Sequence, residues 1–256
     1  MNRSISDWGG NIAAFILVIV FNWLINALPL NGQSQTDIAA KYPSLFTPAG
    51  FTFSIWAVIY LALLAFIVYQ ALPSQRQNAL IARLSVPFKI SCISNALWLV
   101  VWHYDQIVLA LLIMLVFLAS LVIIYRALLA EITRSTLLQH LVLYFPFSLY
   151  TSWISVATIA NISIIQTGYG WDNVGLTAVN WTLLKLAVAG AVGATVVLKT
   201  RDAVFVLVTA WAAYGIAAKQ AATPTIAGAA TMLAMLALLL AAREAAARLR
   251  ERGVPG

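Results

Sequence analysis

The apolar positions of this chain form long segments that few charged residues interrupt. Four stretches contain no Asp, Glu, Lys or Arg: 8–36, 42–75, 106–125 and 135–171. A helix needs about 20 mostly apolar residues to cross the hydrocarbon core of a bilayer. The pattern predicts an all-α, polytopic integral membrane bundle of about eight transmembrane helices. These spans are 11–30, 50–72, 86–103, 106–126, 139–164, 177–199, 203–220 and 224–243.

Prolines and short links indicate where the predicted helices end. Several lie at span ends, namely Pro29, Pro73, Pro87 and Pro224. Pro146 lies inside the fifth span, where its missing N–H should kink the helix and free a carbonyl group. Residues 103–105 alone separate the third and fourth spans, which predicts a tight helical hairpin.

The basic residues predict the orientation in the membrane. Eleven of the fifteen Lys and Arg residues fall on the side of the N-terminus: Arg3, Arg76, Arg83, Arg126, Arg134, Lys199, Arg201, Arg243, Arg248, Arg250 and Arg252. The opposite side has Lys41 and Lys219, and Lys89 and Lys185 lie within spans. Because cytoplasmic loops are enriched in Lys and Arg, the pattern predicts an even number of spans with both termini cytoplasmic. A bacterial inner membrane is the expected location.

Composition agrees with a membrane protein and excludes a soluble one. Hydrophobic residues make up 62% and charged residues 9% of the chain, whereas soluble domains average about 25% charged residues. The net charge of +7 does not indicate a nucleic-acid partner, because the basic residues are dispersed between spans and form no patch. The expected partner is the lipid bilayer.

Most catalytic and metal-binding chemistry is absent from the sequence. No Asp or Glu lies in a predicted membrane core, which argues against a proton-coupled transporter, although backbone carbonyls can still bind Na⁺. No phosphate-binding loop, zinc-protease motif, Cys/His cluster or nucleophile–base pair is visible. His103 and His140 fall at span ends near water, where an interfacial role is favoured over haem ligation. The sequence predicts no catalytic residue, no metal site and no enzyme.

Uncharged polar and aromatic residues recur in the outer halves of four predicted spans. Spacings of three or four residues place them on common helix faces, and a rise of 1.5 Å per residue puts them about 5–16 Å below the outer surface. They are Trp56, Asn95, Trp98, Asn22, Asn26 and Trp153, and Ala157 and Asn161 continue the face of Trp153 at spacings of four. One interpretation is interhelical hydrogen bonding with an aromatic belt. The other is a pocket for a large, flat, apolar ligand that stacks on indole and is oriented by amides.

Three segments resemble a known family. Thr47–Tyr60 (TPAGFTFSIWAVIY) resembles the opening of the second helix in the TspO/translocator protein family, the tryptophan-rich sensory proteins, whose pattern is W-x-P-P-G followed by W-x-x-L-Y. Asn95–Trp98 resembles the N-x-x-W of its third helix. Trp153–Asn161 resembles the W-x-x-x-A-x-x-x-N of its fifth helix. The three segments occur in the order that the family has.

The chain departs from the family pattern at several points. Ala49 stands where the family has the second proline, Leu45-Phe46 stands in place of the preceding Trp, and Pro146 lies about one turn early relative to Trp153. Three spans also follow a fold that normally ends after five helices.

The resemblance predicts a division of the chain into three parts. These are a TspO-like five-helix ligand-binding bundle (1–165), three additional Ala/Gly-rich transmembrane helices (166–243) and a basic cytoplasmic tail (244–256). In the second part, Ala189/Gly193 and Gly190/Ala194 are small residues four apart, which predicts close helix packing. A homodimer interface is the alternative interpretation of the same pattern.

The resemblance also implies a ligand site. Family members bind porphyrins and related tetrapyrroles, some bind sterols, and the pocket lies beneath the loop between the first two helices. Carried over to this sequence, the lining residues are Trp56, Asn95, Trp98, Trp153, Ala157 and Asn161, with Tyr60 at the end of the signature. The covering loop is 31–46. Asn22 and Asn26 are added from their depth alone.

Lys185 is a separate candidate for the same ligand. It lies about 12 Å below the outer end of the sixth span, at 1.5 Å per residue. An intramembrane lysine is a functional candidate and can pair with a ligand carboxylate, such as a porphyrin propionate, if this span borders the pocket. It can equally extend its ammonium group outward to water.

These observations predict a membrane receptor, sensor or carrier for a planar hydrophobic ligand, with a porphyrin or haem-like tetrapyrrole as the expected ligand and no required cofactor. One alternative is a secondary transporter or permease for a small hydrophobic substrate. Another is a membrane assembly or structural subunit. Enzymatic porphyrin breakdown is open in principle but is not predicted.

Overall fold

The computed structural model describes residues 3–28, 30–33, 35–131 and 135–252, and the part of the chain that it describes contains helices and no strand. The helices are α1 (Ile5–Ala27), α2 (Gln35–Lys41), α3 (Ile55–Ala71), α4 (Ala79–His103), α5 (Ile107–Leu129), α6 (Leu137–Gln139), α7 (Phe145–Gly168), α8 (Ala178–Thr200), α9 (Ala203–Lys219) and α10 (Pro224–Arg252). Short 3₁₀ turns cover Leu30–Gly32, Gly50–Ser54, Pro73–Gln75 and Trp171–Asn173.

Each predicted span corresponds to a helical segment. Seven segments are long and apolar enough to cross a bilayer: Ile5–Ile25, Gly50–Ala71, Ala79–His103, Ile107–Leu129, Leu137–Gly168, Ala178–Thr200 and Pro224–Glu251. The eighth, Ala203–Lys219, is apolar but shorter. This confirms the prediction of a polytopic, all-helical integral membrane protein.

One helix boundary differs from the prediction because a side-chain cap determines it. Pro87 was expected near the start of a span, but it lies buried inside α4, which begins eight residues earlier at Ala79. Asn78 starts the helix, because its side-chain oxygen accepts a hydrogen bond from the backbone N–H of Ile81 at 3.2 Å. Asn is among the residues preferred at this capping position.

Pro146 lies two residues after an irregular helical turn. The five residues His140–Tyr144 form a π-helical turn, and α7 begins at Phe145. A capping box formed by Thr136 and Gln139 starts this segment. A π-turn is one of the identifiable irregularities found in helices, so the predicted disturbance near Pro146 has a specific local form.

Contacts between residues divide the chain into two compact units. The first comprises Met1–Tyr42 and Ile55–Ile154, and the second comprises Pro43–Ser54 and Ser155–Gly256. The segment that opens the family-like signature therefore belongs to the unit that contains α8, α9 and α10. The division predicted from the sequence, with boundaries at residues 165 and 243, stays a prediction.

In the first unit, α4 packs against α5 and α1, and α3 packs against α1. Three phenylalanine rings form its core: Phe66 contacts Phe88 and Phe147 edge-on, with ring centroids 5.1 and 5.0 Å apart. Asp105 lies in the turn between α4 and α5 with a φ of 59°. This short turn gives the tight hairpin predicted from the sequence.

A buried charge network joins α1, α3 and α4 at the predicted cytoplasmic end. The guanidinium group of Arg3 forms a salt bridge with Asp7 at 3.0 Å and donates to the side-chain oxygen of Gln70 at 2.6 Å. Asn11 and Ser85, both buried, continue the network with their side-chain oxygens 3.0 Å apart. Such a network specifies how helices pair, because any partner left alone would be buried without a hydrogen bond.

In the second unit, α9 packs against α10 and α8, and small residues allow the close approach. A Cβ atom placed on Gly193 would lie 2.9 Å from the hydroxyl oxygen of Thr209 on α9. A Cβ atom on Gly190 would lie 2.8 Å from a methyl group of Leu233 on α10. These glycines serve packing within the chain, as one of the two interpretations of the small-residue pattern predicts.

Candidate functional site

A single buried amide connects four helices of the first unit. Asn95 on α4 is 2% exposed. Its Nδ2 donates to the hydroxyl oxygens of Tyr150 on α7 at 2.7 Å and Tyr60 on α3 at 3.3 Å. Its Oδ1 accepts from Nδ2 of Asn22 on α1 at 3.3 Å. Because buried polar groups are costly unless hydrogen-bonded, this arrangement fixes all four side chains together.

Aromatic rings surround this amide. The indole of Trp56 stacks on Tyr60, with ring centroids 5.4 Å apart and an angle of 21° between the planes. The same indole meets Trp153 at 6.3 Å and Tyr150 at 5.9 Å, both edge-on. Trp153 is 3% exposed, whereas Trp56 and Tyr60 are half-buried. The stacked Trp56–Tyr60 pair is therefore the aromatic part of this cluster that keeps accessible surface.

A second stacked pair lies further along α4. The indoles of Trp98 and Trp102 are 5.3 Å apart at an angle of 21°. Trp98 is half-buried and Trp102 is buried. The sequence singled out Trp98 but missed Trp102 and Tyr150. Helical spacing was the available signal, because Trp102 follows Trp98 by four residues and Tyr150 precedes Trp153 by three.

The remaining predicted site residues are placed as follows. Asn161 is buried, and its Nδ2 donates to the backbone oxygen of Ala157 one turn earlier in α7 at 2.9 Å. Lys185 on α8 is half-buried. These three site residues belong to the second unit, whereas the cluster around Asn95 belongs to the first. The side chain of Asn26 lies outside the described residues.

The predicted covering loop makes polar contacts with the turn between α4 and α5. Lys41 forms a salt bridge with Asp105 at 2.8 Å, and the Tyr42 hydroxyl donates to the other carboxylate oxygen at 2.8 Å. Asn31 donates to the backbone oxygen of His103 at 3.3 Å. The hydrogen bond from Lys41 chiefly lowers the pKa of Asp105, and the hydrogen bond from Tyr42 lowers it further.

His103 is the last residue of helix α4, so it lies at a span end as predicted, but the prediction that its side chain meets water is wrong. The side chain is fully buried, and its Nδ1 lies 2.7 Å from the backbone oxygen of Leu99. Helix α4 ends at His103, and Asn31 of the predicted covering loop donates to the His103 backbone oxygen at 3.3 Å. His140 is half-buried, and its Nδ1 lies 2.8 Å from the Ser135 hydroxyl.

The second unit contains a small apolar cavity with an accessible volume of about 10 Å³, about the space that one water molecule needs. Side chains of α7, α8, α9 and α10 line it together with Phe46, and Thr209 is a polar residue in the lining. Pockets for drug-sized ligands have volumes of about 300–1,000 Å³. This cavity is therefore too small for a tetrapyrrole.

The fold and the cluster define a class: a polytopic helical membrane protein whose first unit has an Asn–Tyr–Trp centre joining four helices. Comparison with known families gives the particular family. The model of the TSPO-like protein family matches residues 8–243, and the chain belongs to this family. The match includes the last three helices, so they are part of the family's sequence pattern. No curated protein and no solved structure matches the chain.

Proposed function

We propose that this protein is a membrane receptor, sensor or carrier that binds a planar hydrophobic ligand, a porphyrin or related tetrapyrrole, at the Trp56–Tyr60 surface of the first unit. The observation that carries the proposal is the contrast between a buried amide centre and a stacked aromatic pair that keeps part of its surface accessible. Membership in the TSPO-like family supports a membrane sensor or binding protein. The tetrapyrrole is a ligand in this proposal and not a resident cofactor.

In this proposal some residues contact the ligand, and others hold those residues in position. Aromatic pairs contribute about 0.5–1.5 kcal/mol beyond the burial of their area, so stacking on Trp56 supplies affinity for a flat ring system. The Tyr60 oxygen accepts from Asn95, which holds the Tyr60 ring against Trp56. Asn95 and Trp153 are buried and act by holding Tyr60 and Trp56 in place.

A titration with protoporphyrin IX in detergent tests the proposal through quenching of tryptophan fluorescence. Wild-type protein should show saturable quenching in the micromolar range. Trp56→Leu should weaken the affinity by about tenfold, because it removes one stacking partner worth roughly 1.4 kcal/mol. Trp23→Phe is the matched control, since Trp23 lies on α1 of the same unit and is 68% exposed.

Unsaturable quenching that is equal in all variants would mean that the porphyrin partitions into the micelle, and the proposal would fail. The two alternative functions, a permease and an assembly subunit, would then be favoured. Substrate-dependent flux into liposomes would support a permease, whereas a structural subunit would bind no ligand. The roles predicted for Ala157, Asn161 and Lys185, and a homodimer through small-residue faces, remain predictions from the sequence.

A further inference from the structure

The signature segment, Thr47–Ser54, packs against helix α9 within the second unit. Its backbone is bonded to α9 at two points. The N–H of Ala49 donates to the backbone oxygen of Gly215 at 2.9 Å, and the indole N–H of Trp211 donates to the backbone oxygen of Thr52 at 2.9 Å. The first bond depends on the residue at position 49. A proline has no N–H, so the second proline of the family pattern could not make it.

Side chains reinforce these backbone bonds. The ring of Phe51 meets Trp211 edge-on, with centroids 5.5 Å apart, and lies 5.7 Å from Tyr214. Thr52 is fully buried. Aromatic pairs at these separations are attractive, so one turn of α9 presents two rings to the segment.

Gly215 is the residue that permits this contact. A Cβ atom at position 215 would overlap the side chain of Thr52. Glycine in the interior of a helix is unfavourable, and Gly215 lies inside α9 and has no positive φ that would require it. Close approach of Thr52 is the physical reason for glycine at this position.

We infer that helix α9 positions the signature segment, with Trp211 and Gly215 as positioning residues, and so fixes the start of the helix that carries the ligand-binding aromatic pair. The chain continues directly from Ser54 into α3 at Ile55, and Trp56 follows one residue later. The 3₁₀ turn Gly50–Ser54 has poorer hydrogen-bond geometry than an α-helix, so bonds from α9 define its path. The consequence for ligand affinity rests on the proposed function.

Two readouts test this inference, and one of them needs no ligand. The first is the rate at which a water-soluble maleimide labels a cysteine introduced at the half-buried Ala49, just before the membrane-crossing segment, in a Cys92→Ser background. Cysteine keeps the backbone N–H at this position. Gly215→Ala should raise the rate by about threefold or more, because the segment must leave α9. Adding Thr52→Ala removes the obstructing hydroxyl and methyl groups and should return the rate to within about twofold of the starting value.

The second readout is the affinity for protoporphyrin IX, followed by the shift of its Soret band. Gly215→Ala should weaken binding about tenfold through lost preorganisation, and the double variant with Thr52→Ala should recover most of it. Trp211→Phe keeps a ring but loses the N–H, and should weaken binding by about threefold. Gly228→Ala is the matched control, because a Cβ atom there meets nothing within 4 Å.

The outcomes separate the two proposals. Unchanged labelling in Gly215→Ala, or a double variant no better than the single one, overturns the positioning role. Changed labelling with wild-type affinity shows that α9 holds the segment without affecting the ligand, and it overturns the link to binding. If no protein binds porphyrin saturably, the proposed function fails, and the labelling experiment alone decides the role of α9.

Discussion

At the scale of residues, the centre of the first unit depends on the bonding capacity of one amide. A side-chain amide offers two donor hydrogens and a carbonyl acceptor. Asn95 uses both hydrogens for Tyr60 and Tyr150 and accepts from Asn22. The sequence placed Asn95 and Asn22 at similar depths but gave no information on which helices they join. Helix pairing depends on contacts between distant segments, which periodicity along a single chain does not contain.

Replacing Asn95 with Leu should destabilise the protein by about 2–3 kcal/mol, because the Tyr60 and Tyr150 hydroxyls stay buried without their donor. For a chain of this size the midpoint of thermal unfolding should fall by about 5–10 °C. Thermal unfolding in detergent measures the change. Asn180→Leu, at an exposed position, is the control and should shift the midpoint by little; an equal shift in both variants would contradict the special role of Asn95.

The Asp105 carboxylate gives the covering loop a pH dependence. Because Lys41 and Tyr42 lower the pKa of Asp105 in the folded protein, its contribution to stability is present above the unfolded pKa of about 3.9. That contribution is lost as the pH falls through the lower, folded pKa. Thermal midpoints measured from about pH 6 down to about pH 2 should show this loss in the wild type and not in Asp105→Asn. Identical profiles for the two proteins would show that the ion pair is not maintained.

At the scale of elements, hydrophobic runs located the eight apolar helical segments but not the short helix α2 in the predicted covering loop. Side-chain caps determine where several helices begin. The start of α4 shows that the hydrophobic pattern does not locate the first residue of a helix. The pattern placed this start near Pro87, whereas the side-chain cap of Asn78 begins the helix at Ala79. The hydrophobic pattern also did not predict that a charged side chain is buried. Arg3 was counted as a basic residue that orients the chain, but the fold buries its side chain between α1 and α3.

Arg3→Ala should therefore cost about 3 kcal/mol of stability, since Asp7 and Gln70 lose the buried guanidinium that they share. Arg76→Ala, which removes an exposed side chain with the same charge, should cost less than about 1 kcal/mol. Denaturant unfolding of both variants in detergent measures the difference. Equal losses would mean that the Arg3 network adds nothing beyond the charge itself.

At the scale of the whole molecule, the family match extends over both compact units. The sequence predicted the membrane class, the number of helical segments and the family. It treated α8, α9 and α10 as an addition to a bundle complete by residue 165. Single-chain reasoning had no signal that Pro43–Ser54 packs with these later helices, because that contact joins segments more than 150 residues apart.

A chain that ends at Gly168 should therefore fail as an independent ligand-binding bundle. It would lack the α9 residues that bond Ala49 and Thr52, leaving the apolar Phe51 without its aromatic partners. Size-exclusion chromatography should show aggregation, and porphyrin affinity should fall by at least about tenfold. A monodisperse product with full affinity would show that the first five membrane helices suffice.

The hydrogen bond between Ala49 and Gly215 has an evolutionary consequence. Position 49 can donate an N–H only when it is not proline, and position 215 can accept Thr52 closely only when it is glycine. We therefore expect the residues at the two positions to covary, although they lie far apart in the sequence. Among relatives that have α9, we expect a non-proline residue at the first position to accompany glycine at the second. Where one changes, selection should change the other, so comparison of genomes can detect this contact without purified protein.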